Sequence, residues 1–264
     1  MTSTIGITGA AGRVGTVLRA GLREHYDQVR LLDIVAVDEP HDKEVCFTGD
    51  LSDTALVDEF MNGCDAVIHL AGLPDEAPFA DILQHNILGT YTVYEAARKH
   101  GTNRVVFAST NHVVGFYERS EKVGTTMPQR PDSLYGASKA FGEDLARLYH
   151  DKWGMDMVCV RIGSFQERPR NARQLSTWLG FEDTVQLFHR AIEAPDIGFS
   201  VVFGVSGNSR SWWENTEEAA ALGYVPQQSA DSFIAELEDM PEEEVGSRHH
   251  GGFFVSPDYH GGRG

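Results

Sequence analysis

The sequence predicts an α/β protein built on a parallel sheet, and three observations carry that prediction. β-rich segments alternate with segments of helical periodicity along most of the chain. The 264 residues are 41% hydrophobic, enough to build a substantial core. A glycine-spaced turn, Gly9-Ala10-Ala11-Gly12-Arg13-Val14-Gly15, joins the first strand to the first helix.

The elements follow in order. Residues 4–8 read as a strand, and after the turn Val14, Val17, Leu18 and Leu22 recur at helical spacing. A second strand covers 29–32 and ends at Asp33; a third covers 45–48 and ends at Gly49-Asp50. Asp53 opens a short helix. Residues 66–70 form a fourth strand that runs into Ala71-Gly72, and a long helix is expected over 79–99. Residues 104–108 are a fifth strand, followed by the polar cluster Ser109-Thr110-Asn111-His112 and a loop over 113–130. Ser133 precedes a long amphipathic helix through Tyr149, and 157–162 form a sixth strand. The polar stretch 163–171, with Pro169, is expected as a loop over a site. A helix over 183–192, a strand over 200–203 and a short helix over 214–222 complete the pattern. The Gly- and His-rich tail from Gly246 reads as irregular. His249, His250 and His260 lack the carboxylate or cysteine spacing of a metal site, so no metal is expected.

Bulk properties narrow the function. Asp and Glu number 39 against 22 Lys and Arg, a net charge of −17, and only five of the cations are lysine. Nucleic acid is disfavoured as a partner, because neutralising phosphates needs a basic face. An acidic, lysine-poor surface suggests adaptation to salt, which screens the self-repulsion. No segment approaches a membrane span, and no secretory leader is expected. Three widely spaced cysteines, Cys46, Cys64 and Cys159, suit a reducing cytoplasm.

The glycine turn points to a dinucleotide. Gly9 permits the tight turn, Gly12 lets the backbone approach a pyrophosphate, and Gly15 lets helix and strand pack closely. Arg13 and Val14 lie within that turn, where the helix N-terminus presents N–H groups to the anion. Backbone dipoles bind phosphate without a basic patch, which suits so acidic a chain. Asp33 stands 18 residues after Gly15, where a carboxylate accepts the adenosine ribose hydroxyls. Its charge repels a 2′-phosphate, so NAD is expected; Arg13 leaves NADP possible. Asp50 and Leu51 are expected at the adenine. Leu70, Ala71, Gly72 and Ile162 end strands where the cofactor crosses the sheet edge. The fold class is therefore a Rossmann-type, doubly wound parallel sheet.

Tyr135 and Lys139 are four apart on a predicted helix and share one face. A nearby ammonium favours a phenolate, which makes tyrosine a usable base. Thr110, after the fifth strand, supplies a hydroxyl to orient the substrate oxygen. The bland reading is an exposed helix pair; the glycine turn upstream and the Ser/Thr cluster between favour chemistry.

At this point the chain resembles a family. TGAAGRVG, Asp33, Asp50-Leu51, HLAG, FASTNHVVG and YGASK resemble the extended short-chain dehydrogenases/reductases over nearly the whole length. Within them ASTNH, RPDSLYGASK, RIGS, NARQLSTW and SWWEN are similar to uronate dehydrogenases and to the sugar 1-dehydrogenases of salt-loving archaea. The resemblance implies that Thr110, Tyr135 and Lys139 fill the catalytic positions and that Tyr135 and Lys139 also meet the cofactor. It matches Asn111, His112, Ser164 and Arg173 to substrate-binding positions, and Asn86 to an asparagine that supports the active-site lysine at the cofactor. Three departures fall around the substrate. Pro74 stands where those enzymes have a serine, Phe165 follows Ser164, and Arg168 and Arg170 accompany Arg173.

The expected organisation is one domain over 1–264, with a dinucleotide core at 1–163 and mostly substrate-binding elements at 164–264. The expected reaction is NAD-dependent oxidation of a cyclic sugar at C1 to a lactone, with a uronate as substrate and Arg173 on its carboxylate. Alternatives are a neutral aldose such as L-arabinose, or glucose 6-phosphate held by Arg168 and Arg170, which equally read as surface residues. A nucleotide-sugar epimerase or dehydratase is a further alternative, although only about 100 residues follow Ser164. A redox-sensing NAD-binding module would have little use for Thr110, Tyr135 and Lys139 together. Trp212 and Trp213 either line the sugar pocket or wedge against the sheet. The helices over 79–99 and 133–149 suggest, by the same resemblance, an intersubunit bundle and a homo-oligomer.

Overall fold

A computed structural model describes residues 2–240 and 244–262. Seven strands form one parallel sheet: β1 (Thr4–Thr8), β2 (Gln28–Asp33), β3 (Glu44–Thr48), β4 (Ala66–His69), β5 (Arg104–Thr110), β6 (Asp156–Ile162) and, after a separate two-stranded pair β7 (Ser164–Phe165) and β8 (Trp178–Leu179), β9 (Phe199–Gly204). Their order across the sheet is β3-β2-β1-β4-β5-β6-β9. Winding reverses between β1 and β4, which opens a crevice at the carboxyl ends of these two strands.

Among the described residues the α-helices are α1 (Arg13–Leu22), α2 (Thr54–Met61), α3 (Phe79–Ile82), α4 (Gly89–His100), α5 (Leu134–Trp153), α6 (Gln174–Thr177), α7 (Phe181–Glu193), α8 (Thr216–Leu222), α9 (Ile234–Leu237) and α10 (Glu244–Ser247). Strand alternation sends side chains to both faces of the sheet. On one face Ile5, Ile7, Leu31, Val106 and Val158 meet Leu18 and Leu22 of α1 and Leu187 and Phe188 of α7. On the other, Val67, Val105, Phe107 and Met157 meet Phe60 of α2, Tyr94 of α4 and Tyr149 of α5. Burial on both faces explains why the strands read as apolar runs with little polar alternation.

The structure departs from the sequence expectation in four places. β5 continues through Ser109 and Thr110, so the hydroxyl of Thr110 is carried by a rigid strand end. The helix expected over 79–99 is interrupted by a π-helical stretch, Leu83–Leu88, which carries Asn86. The loop over 163–171 begins with β7, paired to β8. The division expected at residue 163 is no boundary within the sheet: β9 and α7, from beyond it, complete the sheet and its cover.

Candidate active site

A cavity of about 1350 Å³ opens along the carboxyl ends of β1, β2, β4, β5 and β6. At its floor the turn after β1 is fixed by Gly9 N–H donating to Leu32 O (2.8 Å) and Gly12 N–H donating to Gly9 O (3.1 Å). A Cβ at Gly15 would lie 2.3 Å from Gly9 O, so α1 can cross the turn this closely only with glycine there. No side chain caps α1 and no acid occupies its first turn, which suits an anion at its N–H groups. Asp33 accepts from Ala11 N–H (2.9 Å) and Val35 N–H (3.1 Å). Asp33, Asp50, Leu51, Leu70, Ala71 and Gly72 all line the cavity, as do Gly9, Gly12, Arg13, Val14, Gly15 and Ile162. Arg13 reaches across to donate to Phe165 O (3.3 Å) and Gln166 Oε1 (3.0 Å), joining the glycine turn to the loop after β6.

Thr110, Tyr135 and Lys139 meet on the same wall. Ser133 caps α5 by accepting from Gly136 N–H (3.0 Å), and the Glu76 carboxylate accepts from Tyr135 N–H (3.0 Å), so the helix start is held on two sides. Lys139 is 5% exposed; its Nζ sits 4.8 Å from the centre of the Phe107 ring and makes no hydrogen bond among the described residues. Burial pushes this ammonium down to about 8. Burial also pushes the Tyr135 phenol up to about 12; the Thr110 hydroxyl opposes the shift, and the Asp132 and Asp75 carboxylates add to it. The expectation that Lys139 lowers the phenol is therefore corrected for the cofactor-free protein. Sealing from water dominates at the phenol, and the ammonium is itself penalised by the same apolar surroundings.

The residues matched to substrate binding face this wall. His112 Nδ1 pairs with Asp132 Oδ2 (2.8 Å), which directs Nε2 away from that carboxylate. Arg173 donates to His250 O from Nε (3.1 Å) and Nη2 (2.6 Å), and to Ser164 Oγ from Nη1 (3.1 Å). The Asn111 carboxamide, oriented by its neighbours, donates to Ile162 O (3.1 Å) and accepts from Arg173 Nη2 (3.1 Å). Pro74 lines the cavity with Leu73 and Asp75.

Asn86 is the exception among the expected site residues. It is 2% exposed and lies behind the wall: its carboxamide accepts from Leu73 N–H (2.7 Å) and donates to Leu73 O (3.1 Å) and Ser138 Oγ (2.9 Å). It braces the loop after β4 and the helix carrying Lys139, and its amide is fully occupied in doing so. His69 supports the same loop from below. Its Nδ1 accepts from Thr8 Oγ1 (2.8 Å), which in turn accepts from Ala71 N–H (3.3 Å), and Nε2 donates to Thr90 Oγ1 (3.1 Å). That tautomer is assigned from Thr90 donating to Asn86 O (2.6 Å); burial holds the ring at about 3, hence neutral.

Other candidates separate clearly. Arg168 is exposed and pairs with Glu236 (2.6 Å), whereas Arg170 lines the cavity. Trp213 stacks on Phe203 of β9 (5.0 Å) and Trp212 on His250 (5.1 Å), so both wedge against structure. Among the described residues no group of three or more His, Cys, Asp or Glu converges as a metal site. Sequence reasoning missed the tail: Gly251, Gly252, Phe253 and Phe254 line the cavity. The only local signal was a pair of phenylalanines in an otherwise small and polar segment.

The cradle fits a dinucleotide. A close glycine crossing, uncapped helix N–H groups, a carboxylate at the end of β2 and a buried ammonium without an acceptor lie along one cavity. Comparisons with known proteins agree. The profile of the NAD dependent epimerase/dehydratase family matches residues 5–166. The uronate dehydrogenase of Pseudomonas syringae pv. tomato is 44% identical over 95% of this chain and 92% of its own length. The NAD-dependent glucose-6-phosphate dehydrogenase of Haloferax volcanii is 38% identical over 89% and 97%. A crystal structure of uronate dehydrogenase from Agrobacterium tumefaciens, a mutant complexed with NAD, superposes with a TM-score of 0.92 at 42% identity, covering 97% of each chain.

Proposed function

Since this chain belongs to the NAD-dependent epimerase/dehydratase family, we propose that it oxidises a uronate, galacturonate or glucuronate, at C1 to the lactone with NAD. The observation that carries the reading is the convergence of Thr110, Tyr135 and Lys139 with Arg173 on the cavity that holds the glycine turn. Relatives at 44–45% identity are uronate dehydrogenases, against 38% for the glucose-6-phosphate enzyme, which supports the uronate over other sugars.

In this reading the C1 hydroxyl sits between Thr110 Oγ1 and Tyr135 Oη. Thr110 orients the oxygen, and Tyr135, once ionised to the phenolate, takes its proton as the C1 carbonyl forms. NAD, when bound, would accept the hydride from C1, and its positive charge would favour the phenolate. Lys139 offers its N–H groups to the cofactor ribose and its charge to the phenolate. Ser164 and Asn111 hold Arg173 toward the sugar carboxylate, a group its planar fork matches. His112, held by Asp132, takes a ring hydroxyl. Asp33 meets the adenosine ribose, and Asn86 keeps its positioning role behind Lys139.

The proposal extends to the cell. The three cysteines are unpaired, which supports a reducing cytoplasm, and no helix among the described residues is long and apolar enough to cross a membrane. Leu88 at the end of the π-helical stretch, Tyr91 on α4, and Leu134, Phe141, Leu148 and Trp153 on α5 are exposed apolar side chains, which supports a homo-oligomer formed there. The −17 charge supports a high-salt setting.

The test is NADH formation with galacturonate, glucuronate, L-arabinose, glucose and glucose 6-phosphate. Uronates should lead, Tyr135→Phe should abolish turnover while retaining NADH binding, and Arg173→Met should raise KM for uronates about tenfold or more while sparing neutral aldoses. A wild type that ignores uronates refutes the reading. Arg170 on the cavity wall favours one second reading, a phosphorylated aldose, which predicts that Arg170→Ala impairs glucose 6-phosphate oxidation.

A further inference from the structure

The C-terminal tail crosses the substrate side of the cavity and is pinned at both ends. At one end the His250 ring is fully buried, stacked on Trp212, with Nδ1 accepting from Trp213 Nε1 (3.2 Å). Its N–H donates to Tyr117 O (2.9 Å), and its carbonyl takes two of the Arg173 hydrogen bonds. At the other end Asp75 accepts from Tyr259 Oη (2.5 Å) and Gly262 N–H (2.9 Å).

Between these anchors the chain threads a narrow gap. A Cβ at Gly251 would lie 1.9 Å from Asp132 Oδ2, and one at Gly252, whose φ is +64°, would lie 3.0 Å from Arg173 Nε. The two glycines thus pass between the His112–Asp132 pair and the Arg173 guanidinium, with no room for a side chain on Gly251 and, on Gly252, a tight fit made worse by the positive φ. Beyond them Phe254 stacks on His112 with ring centres 3.8 Å apart, and stands 6.5 Å from the Tyr135 ring. Phe253 and Tyr259 back it at 5.3 and 4.5 Å.

We propose that residues 250–254 form a specificity-determining wall of the substrate site: Gly251-Gly252 sets the spacing between Arg173 and His112, and the Phe254 ring receives the apolar C–H face of the sugar. This rests on the sugar-oxidising reading and adds its specificity residues. A pyranose presents C–H groups on one face and hydroxyls around its rim. An aromatic ring beside the base, with a histidine and an arginine at the edges, meets both kinds of surface. The tail acts on the sugar, while the dinucleotide lies at the opposite end of the cavity along the glycine turn.

The experiment compares wild type, Phe254→Ala, Phe254→Tyr and Gly252→Ala in steady-state kinetics with galacturonate and in NADH titration by fluorescence. Phe254→Ala should raise KM about tenfold with kcat little changed, the pattern of lost ground-state binding, and Phe254→Tyr should restore it. Gly252→Ala keeps the ring but displaces Arg173, and should raise KM for galacturonate more than for a neutral aldose. NADH affinity should stay within about twofold throughout, which a general loosening of the fold would not allow. A KM for Phe254→Ala within twofold of wild type, or NADH affinity falling in parallel with KM, overturns the proposal. If wild type oxidises a different sugar from the panel, the uronate assignment falls and the same KM ratio on that sugar decides the wall. If it oxidises none, both fall.

Discussion

Lys139 should be a stability liability in the cofactor-free protein, and its replacement by methionine should stabilise the fold. The ammonium is buried, has among the described residues only the Phe107 ring as a partner, and is held at about 8 against the ordinary 10.5. That difference corresponds to about 3 kcal/mol, an upper bound on what the buried charge costs. For a chain of this length the cost translates to roughly 5 °C in Tm. The sign follows from proton counting. Below about pH 8 the folded and unfolded chains both carry the proton, and the fold bears the full cost. Between about 8 and 10.5 the unfolded chain binds the extra proton, so the wild type gains stability as pH rises through that window. Above it both forms are neutral and the penalty is gone. Methionine fills the same space and keeps a contact with the Phe107 ring through its sulfur. Thermal melts of wild type and Lys139→Met without cofactor, at pH 7 and pH 10, check this. The variant should melt higher at pH 7, and the gap should shrink at pH 10, while turnover is lost. Saturating NADH should also narrow the gap at pH 7, by giving the wild-type ammonium acceptors. A variant that melts at or below wild type at pH 7 refutes the reasoning.

Three further outcomes follow from other parts of the molecule. Glu143 and Arg161, each 2% exposed, form a bidentate pair (2.9 and 2.8 Å) to which Ser109 and Gln129 also donate. Glu143→Gln leaves the guanidinium uncompensated and should cost about 3–5 kcal/mol, read as a lower midpoint in urea unfolding; an unchanged midpoint contradicts the assignment. Asp33→Ala should narrow the preference for NAD over NADP by about tenfold or more, measured as the ratio of kcat/KM values, and a wild type that prefers NADP removes this role from Asp33. Raising KCl from about 0.1 to 1 M shortens the screening length from about 10 to 3 Å, so Tm should rise; maximal stability at low salt would count against salt adaptation.

The parts legible in the sequence were those whose chemistry is written in local spacing. The glycine turn, Asp33 at the end of β2 and the Tyr135–Lys139 interval each depend on one turn or one helical repeat, and the cavity gathers them as the spacing implied. Asn86 was placed beside the helix of Lys139, where its amide reaches Ser138, but its hold on the Leu73 backbone was not read. The π-helical stretch from Leu83 to Leu88 turns its amide onto the Leu73 backbone, and nothing in an apolar period announces a π insertion. The tail was illegible because its place is set by partners far along the chain: Arg173 and Asp132 for the two glycines, Trp212 and Trp213 for His250, and Asp75 for Tyr259. The ionisation of Tyr135 was misjudged for a related reason. Helical spacing tells which groups are neighbours, while burial, which dominates this phenol, is a property of the assembled core.

A chain of charge −17 must still hold a pyrophosphate and, in the proposed reaction, a carboxylate. The structure meets that requirement at short range. The carboxylates that line the cavity already accept from the protein: Asp33 from Ala11 and Val35 N–H, Asp50 from Ser52 N–H, and Asp75 from Tyr259 and Gly262. Part of their acceptor capacity is thus taken up by the fold, Asp33 keeping the lone pairs that the proposed ribose contact uses, while cationic groups and the N–H groups that open α1 face the cavity beside them. Arg13 is in turn steered by neutral acceptors, Gln166 Oε1 and the Phe165 carbonyl, and the Arg173 fork is oriented by Ser164 Oγ and the His250 carbonyl among its partners. Neutral acceptors orient a guanidinium without cancelling its charge, as a carboxylate partner would. Arg168, by contrast with Arg13, pairs with the Glu236 carboxylate at the surface. Salt then acts unequally on the two scales. It screens the repulsion among exposed acids over distances beyond a few ångströms, while hydrogen bonds made inside the cavity are screened much less. Recognition in this molecule therefore rests on donors fixed by the fold, and its acidic exterior need not weaken the site it surrounds.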